Sequence, residues 1–262
     1  MALPGRVADY NRIAENYDRR YALHAYAGVR DALFNSLGSG TVSAALEVGC
    51  GTGHWLAEIR SQYPSAEQLL LAGVEPAAGM LSRAQAANPD ARLVRARAEA
   101  LPWRDATFDR VFCINALHHF ADRVRFFHEA RRILKPGGAL MSIGKDPHAD
   151  RDSWWVYDYF PETLPIDRDR FARVRVLRGE LAQAGFAWAE SFEADRIEAV
   201  MSADDALAAG VVDTAYTSQL TVLSDDEFRA GAARIREANV AAGGELNLVT
   251  DFRLYATVGW IG

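Results

Sequence analysis

Three glycines and two acids carry the chemistry this sequence offers first. The segment Glu47-Val48-Gly49-Cys50-Gly51-Thr52-Gly53 grows out of a short apolar run (residues 45–48) and leads into a helical pattern with Trp55, Leu56 and Ile59 on one face. Glycine at a strand-to-helix turn lets the backbone approach a ligand closely and exposes N–H groups at a helix N-terminus. A second apolar run, residues 69–74, closes on Glu75-Pro76, about two dozen residues after the loop. In nucleotide-binding folds an acid at that place accepts hydrogen bonds from ribose hydroxyls.

The loop spacing separates two cofactor classes. A dinucleotide fingerprint, G-x-G-x-x-G, would need glycine at position 54, where His54 stands. Here the pattern is G-x-G-x-G preceded by an acid, which disfavours a nicotinamide oxidoreductase. S-adenosylmethionine has no pyrophosphate to cradle, but its cationic amino acid end calls for nearby acids.

The elements that must position these residues alternate. After the first two strands and their helices come a weaker strand (91–96), a fourth (108–114), a helix (122–134) and a fifth strand (139–143). That helix has Val124, Phe127, Ala130 and Leu134 inward and is stopped by Lys135-Pro136-Gly137-Gly138. Short, nearly continuous apolar strands between helices mean a parallel sheet covered on both faces. Phe186, Trp188 and Phe192, and later Phe252, Leu254, Ala256, Val258 and Trp260, alternate with period two instead, predicting an antiparallel closing element. The fold expected is α/β and Rossmann-like: a seven-stranded, mostly parallel sheet with helices on both faces and the last strand antiparallel. One domain spans 1–262, with its core at about 41–195 and 245–262 and lid insertions at about 146–169 and 196–244. Ser224 caps a helix within the second insertion. At the start of the chain, Tyr10, Ile13, Ala14, Tyr17 and Tyr21 recur at helical spacing, as the buried stripe of an N-terminal helix would.

Residues 45–53 resemble the first motif of class I S-adenosylmethionine-dependent methyltransferases, and Val74-Glu75-Pro76-Ala77-Ala78-Gly79-Met80-Leu81 resembles the second. Ala98-Glu99-Ala100-Leu101-Pro102-Trp103, then Phe108-Asp109, resembles the adenine-side loop and fourth strand of the small-molecule branch that includes ubiquinone and menaquinone methyltransferases (the methyltransferase type 11 domain). Leu134-Lys135-Pro136-Gly137-Gly138 completes the set, over roughly residues 10–145. The resemblance implies that Glu47, Gly49, Cys50, Gly51 and Gly53 surround the methionine part of S-adenosylmethionine and that Glu75 with Pro76 meets the ribose. It puts Met80 on the adenine face, Ala98 and Glu99 at the adenine edge, Asn115 beside the sulfonium, and Tyr17 over the cofactor. Arg97 departs from the pattern, which usually has Asp before Ala-Glu; an Arg cannot accept a bond from the adenine amino group.

Other chemistries find no support. The segment after the fourth strand reads Asn115-Ala116-Leu117-His118, not the Asn-Pro-Pro-Tyr type associated with adenine bases or glutamine amides. G-x-S-x-G is absent, and the six histidines have no metal-ligand spacing with cysteines, so no metal is expected. His118 and His119 are the candidate catalytic residues. Histidine accepts protons near neutral pH; His119 is favoured as base, and packing beneath the cofactor is the competing reading. Trp154, Trp155, Tyr157, Tyr159 and Phe160, with Tyr216, Thr217, Ser218 and Gln219, are candidates for an acceptor pocket.

Net charge is −6 and the pI near 5.6, with no basic stripe, so no nucleic-acid partner is expected. Two cysteines, Cys50 and Cys113, make no disulfide framework, and no stretch suits a leader or a membrane span; a cytoplasmic enzyme is the expectation. The reading is methyl transfer from S-adenosylmethionine to a small organic acceptor at O, N or carbon. A non-catalytic S-adenosylmethionine-binding subunit is the alternative, which a degraded loop or a missing acid would mark. Neither the acceptor nor the oligomeric state is legible.

Overall fold

The computed structural model describes residues 10–15, 17–38, 42–64 and 69–262. Residues 1–6, where no leader is expected, lie outside them. Among the described residues, eight strands make one sheet: β1 (Ala44–Val48), β2 (Leu70–Val74), β3 (Arg92–Val94), β4 (Phe108–Ile114), β5 (Leu134–Gly144), β6 (Ser153–Trp154), β7 (Trp188–Ser202) and β8 (Asn247–Trp260). The order β3-β2-β1-β4-β5 is parallel throughout. β8 runs antiparallel to β5 and carries β7 along its whole length. The strand beyond the expected seven is the two-residue β6, which pairs with β8 at Trp154↔Thr250.

Every residue of β1 is buried. Leu46 and Val48 pack with Ala72 and Val74 on one side, Ala45 with Leu71 on the other. Burial on both faces is what makes these strands continuous apolar runs rather than alternating ones. In β8 the alternation holds: Leu248, Thr250, Phe252, Leu254 and Ala256 are buried, with exposed or half-buried residues between them. Strand order reverses between β1 and β4, and α/β folds bind ligands in the crevice outside the carboxyl ends at such a point.

Three expectations are corrected. The helix Arg123–Ile133, capped by the Asp122 side chain on Arg125 N, ends before Leu134, and Lys135-Pro136-Gly137-Gly138 already belongs to β5. Gly137 at φ +74° and a register shift against β4 accommodate that run in the strand. Its buried face also includes Phe126 and Ile133, whereas Val124 is only half-buried. The N-terminal stripe is not one helix but two short turns, Tyr10–Ile13 and Arg19–Leu23. β7 continues to Ser202, so the second insertion spans residues 203–246.

The insertions lock onto each other. The second holds helices Ala203–Ala208, Ser218–Thr221 and Asp225–Ala241, the last begun by a Ser224–Glu227 capping box. Phe160, at the end of the helix Trp155–Tyr159, is fully buried and stacks on Phe228 with 5.7 Å between centroids. A β-carbon at Gly231 would lie 2.1 Å from Phe160 Cδ1. Among the described residues no helix is long and apolar enough to cross a membrane.

In an open helix Gly231→Ala would stabilise by up to about 1 kcal/mol. Here overpacking against Phe160 reverses the sign, and the expected effect is a loss of about 1–3 kcal/mol in denaturant unfolding. A more stable variant would show that the insertions are not locked by this contact.

Candidate active site

At the carboxyl ends of β1 and β2 the chain builds a turn that only glycine suits. Gly49, Gly51 and Gly53 have φ of +75°, +54° and +80°. A β-carbon at Gly49 would lie 2.6 Å from the Ala116 β-carbon. The N–H groups of Gly49 and Cys50 both donate to the Val74 carbonyl, at 2.8 and 3.0 Å, tying the loop to the end of β2. Glu75 closes the other side: Oε2 accepts from Gly51 N at 3.1 Å and Oε1 from Ala77 N at 2.8 Å.

This loop borders a cavity of about 300 Å³, lined by Tyr17, Gly49, Gly51, Glu75, Pro76, Met80, Ala98, Glu99, Asn115 and His119 among the expected residues. Tyr10, Asn11, Arg97 and Phe120 join them. The N-terminal segment is strapped across it: Gly79 N donates to Asn11 Oδ1 at 3.0 Å, Thr52 Oγ1 to Asp18 Oδ1, and Tyr10 OH is bonded to His119 Nε2. Asn115 ends β4 at φ +51°, with its N–H on the Ile143 carbonyl. A left-handed non-glycine residue stores strain of the kind found at ligand sites.

Glu47, Cys50 and Gly53 were expected at the cofactor but do not line the cavity. Gly53 is held from behind by buried Asn88, whose Nδ2 donates to the Gly53 and Ala84 carbonyls at 3.0 and 3.1 Å. Cys50 packs its thiol beneath the loop near Gly73. Glu47 is 1 % exposed, and its Oε2 has no hydrogen-bond partner among the described residues. Burial, then the nearby Glu75 charge, pushes the Glu47 carboxyl well above the usual range; burial likewise raises Glu75, against the pull of its two N–H partners. Two acids with raised affinity for positive charge thus stand at the glycine loop. Glu99 Oε1 accepts from Ala121 N at 2.7 Å and Asp122 N at 3.2 Å, so that oxygen is engaged in holding the next turn.

A second cavity, of about 70 Å³, shares Tyr10 and Asn115 with the first. Trp154 and Tyr216, Thr217, Ser218 and Gln219 line it, as expected of an acceptor pocket, together with His118 and Lys145. The other aromatics do not line it; Tyr159 packs half-buried against the core. Trp155 and Phe160 are core, and Tyr157 donates to Asp167 at 2.8 Å. His118 and His119 touch ring to ring at 3.8 Å, His119 on the first cavity and His118, stacked on Phe171, on the second.

The glycine turn, the acid ending β2 and the strained Asn115 at the reversal of strand order fit an adenosyl ligand with a cationic tail, and the unpartnered Glu47 fits that tail. A methyltransferase-domain family model matches residues 46–142. The malonyl-[acyl-carrier protein] O-methyltransferase of Geobacter sulfurreducens is 31 % identical over 202 residues, 72 % of each chain. The chain belongs to the class I S-adenosylmethionine-dependent methyltransferases. The 27-O-demethylrifamycin SV methyltransferase of Amycolatopsis mediterranei is 35 % identical over 101 residues, 36 % of each chain. The match spans between about a third and a half of the length of the first curated relatives (36 %, 49 % and 50 %). In fold, the family member resembles an Anabaena variabilis protein assigned as a methyltransferase of an antibiotic biosynthesis pathway. The TM-score is 0.69 at 22 % identity, over 87 % of this chain and 95 % of that one.

Proposed function

We propose that this chain transfers a methyl group from S-adenosylmethionine to a small organic acceptor. The observation that carries the reading is the buried, unpartnered Glu47 beside Glu75 at the glycine loop, a place prepared for a cation. When bound, S-adenosylmethionine supplies an electrophilic methyl on a sulfonium. In this reading Gly49 and Gly51 hold the amino acid end, Glu47 stands behind the cavity wall as its counter-charge, and Glu75 holds the ribose. Pro76, Met80, Ala98 and Glu99 border the adenine. Asn115, shared by both cavities, stands where donor meets acceptor, and Tyr10 and Tyr17 exclude water from above. The two free, buried cysteines accord with a reducing compartment, the cytoplasm.

Positioning of a near-attack geometry can supply about 7–11 kcal/mol, whereas a general base typically adds about two to four powers of ten in rate. His118 and His119 enter this account as positioning residues: His119 holds Tyr10 over the donor, and His118 forms a wall of the acceptor cavity with Phe171.

S-adenosylhomocysteine binding should follow pH with a definite sign. In the free protein Glu47 keeps its proton up to a raised pKa; an ammonium partner favours the ionised form. Affinity should therefore rise with pH from the ordinary carboxylate range up to that raised value and level off beyond it. Calorimetric titrations across pH should find this slope in the wild type and not in Glu47→Gln. A pH-independent wild type, with ligand bound, would refute the role of Glu47.

For the histidines, rates across pH at saturating S-adenosylmethionine should retain their acidic limb in both His118→Ala and His119→Ala. His119→Ala should also raise the KM for S-adenosylmethionine by roughly two- to tenfold, the worth of one hydrogen bond of about 0.5–1.5 kcal/mol. A hundredfold rate loss with the acidic limb gone would make that histidine the base.

A further inference from the structure

The sequence uses 27 arginines and only two lysines, Lys135 and Lys145. Lys135 bonds to Asp109 at 2.9 Å. Lys145 directly follows β5, is 8 % exposed, and its Nζ has no hydrogen-bond partner among the described residues. Aromatic rings box it: Nζ stands 3.7, 4.6 and 4.5 Å from the ring centroids of Trp154, Tyr157 and Phe252. Ring faces stabilise an ammonium, but they satisfy none of its three N–H donors. Lys145 lines the acceptor cavity next to Asn115, and also a smaller one of about 30 Å³ that shares His118 and Phe171 with it.

Arg170 lines that smaller cavity too. Its side chain is 12 % exposed, and while Nη2 bonds to Asp167 at 2.6 Å, Nε and Nη1 are buried without partners. The anions nearby do not meet these donors. Asp167 is taken by Arg170 Nη2, Tyr157 OH and Gln219 Nε2, the latter two at 2.8 Å. Asp152 accepts from Arg253 N at 3.0 Å through Oδ1, its buried Oδ2 bonds to neither cation, and burial holds its carboxyl above the usual range. Arg123, whose guanidinium is held by Glu180 at 2.7 and 2.6 Å, completes the polar lining with His118, Tyr255 and Ser142.

We propose that Lys145 and Arg170 bind the acceptor through an ionised oxygen, so that the acceptor is an organic acid, a carboxylate or a phenolate, and not an amine. This rests on the methyltransferase reading and narrows its substrate. Asp167 and Asp152 balance the charge of the two cations without meeting Lys145 Nζ or Arg170 Nε and Nη1, so these buried donors lack a hydrogen-bond acceptor, which an anionic oxygen supplies best and an ammonium not at all. The acceptor leaves its proton in water before it binds. Its oxygen then supplies the electron pair of the new C–O bond, the C–S pair stays on sulfur, and no proton moves in the step. The ester or ether formed is neutral and loses its hold on both cations, which favours release.

Burial, against the opposing charges of Asp167 and Asp152, lowers the Lys145 ammonium to about 8, within reach of titration. With ¹³C-lysine label only two ε-CH₂ signals arise, and Lys145→Arg identifies which is which. S-adenosylhomocysteine-loaded protein is titrated with benzoate, 4-nitrophenolate, benzamide, 4-nitroanisole and benzylamine. At least one anion should shift the Lys145 signal and raise its titration midpoint, with at least tenfold tighter binding than its neutral counterpart; which anion does so decides between carboxylate and phenolate. Lys145→Met should lose that preference, and Lys145→Arg should keep it. Equal response to the neutral compounds, preference for benzylamine, or silence toward both anions overturns the proposal. Calorimetry on the same sample keeps the two readings apart. Intact S-adenosylhomocysteine binding with a silent Lys145 defeats only this inference, and no binding at all defeats the methyltransferase reading with it.

Discussion

Ionisable groups held out of water without a matching partner are the constraint that organises this molecule. A carboxylate or ammonium in a low-dielectric interior costs several kcal/mol unless it is paired. The sheet nevertheless buries Glu47 at the end of β1 and Lys145 just after β5, each with an unpartnered polar atom. The two lie on opposite sides of Asn115 at the end of β4, which with Tyr10 lines both cavities. The rest of the fold can be understood as what keeps water away from these groups. A doubly covered parallel sheet lies beneath them, an N-terminal strap closes one cavity, and two interlocked insertions close the other.

That division explains how the protein combines tight packing with an open chemistry. The core of Phe108, Phe112, Phe126 and Phe127 is sealed. At the carboxyl ends of the strands stand Gly49, Gly51 and Gly53 at positive φ, Asn115 in the left-handed region, and the unpartnered atoms of Glu47 and Lys145. Local rules are obeyed elsewhere, as in the Ser224–Glu227 capping box. Departures from local consistency are expected where a ligand completes the structure.

How much of this could be read from the sequence follows from how local each feature is. The glycine loop and Glu75 sit at strand ends whose positions the apolar runs define, whereas Pro76, Met80, Ala98 and Asn115 were implied by the family resemblance; these four, with Gly49, Gly51 and Glu75, line the donor cavity. Tyr10 was legible only as part of a helical stripe, because its place over the cavity depends on a break after Ile13 that the spacing of tyrosines conceals. Lys145 and Arg170 gave no pattern signal. Their meeting depends on how residues 146–169 fold back, a matter of tertiary packing; the scarcity of lysine in an arginine-rich chain was the available hint. The long β7–β8 ribbon was underestimated because Phe186, Trp188 and Phe192 mark only its first turns of alternation, and the polar residues beyond them obscure its continuation.

The central claim is that a buried acid, whose proton affinity burial raises, awaits a cation at the glycine loop, and proton counting tests it directly. S-adenosylhomocysteine binding would be measured calorimetrically at about pH 6 in two buffers of different ionisation enthalpy. The account predicts net proton release in the wild type and a clearly smaller release in Glu47→Gln, because the ligand's ammonium drives Glu47 to its charged form. Binding with no proton exchanged, with uptake, or with the same release in both proteins would contradict it.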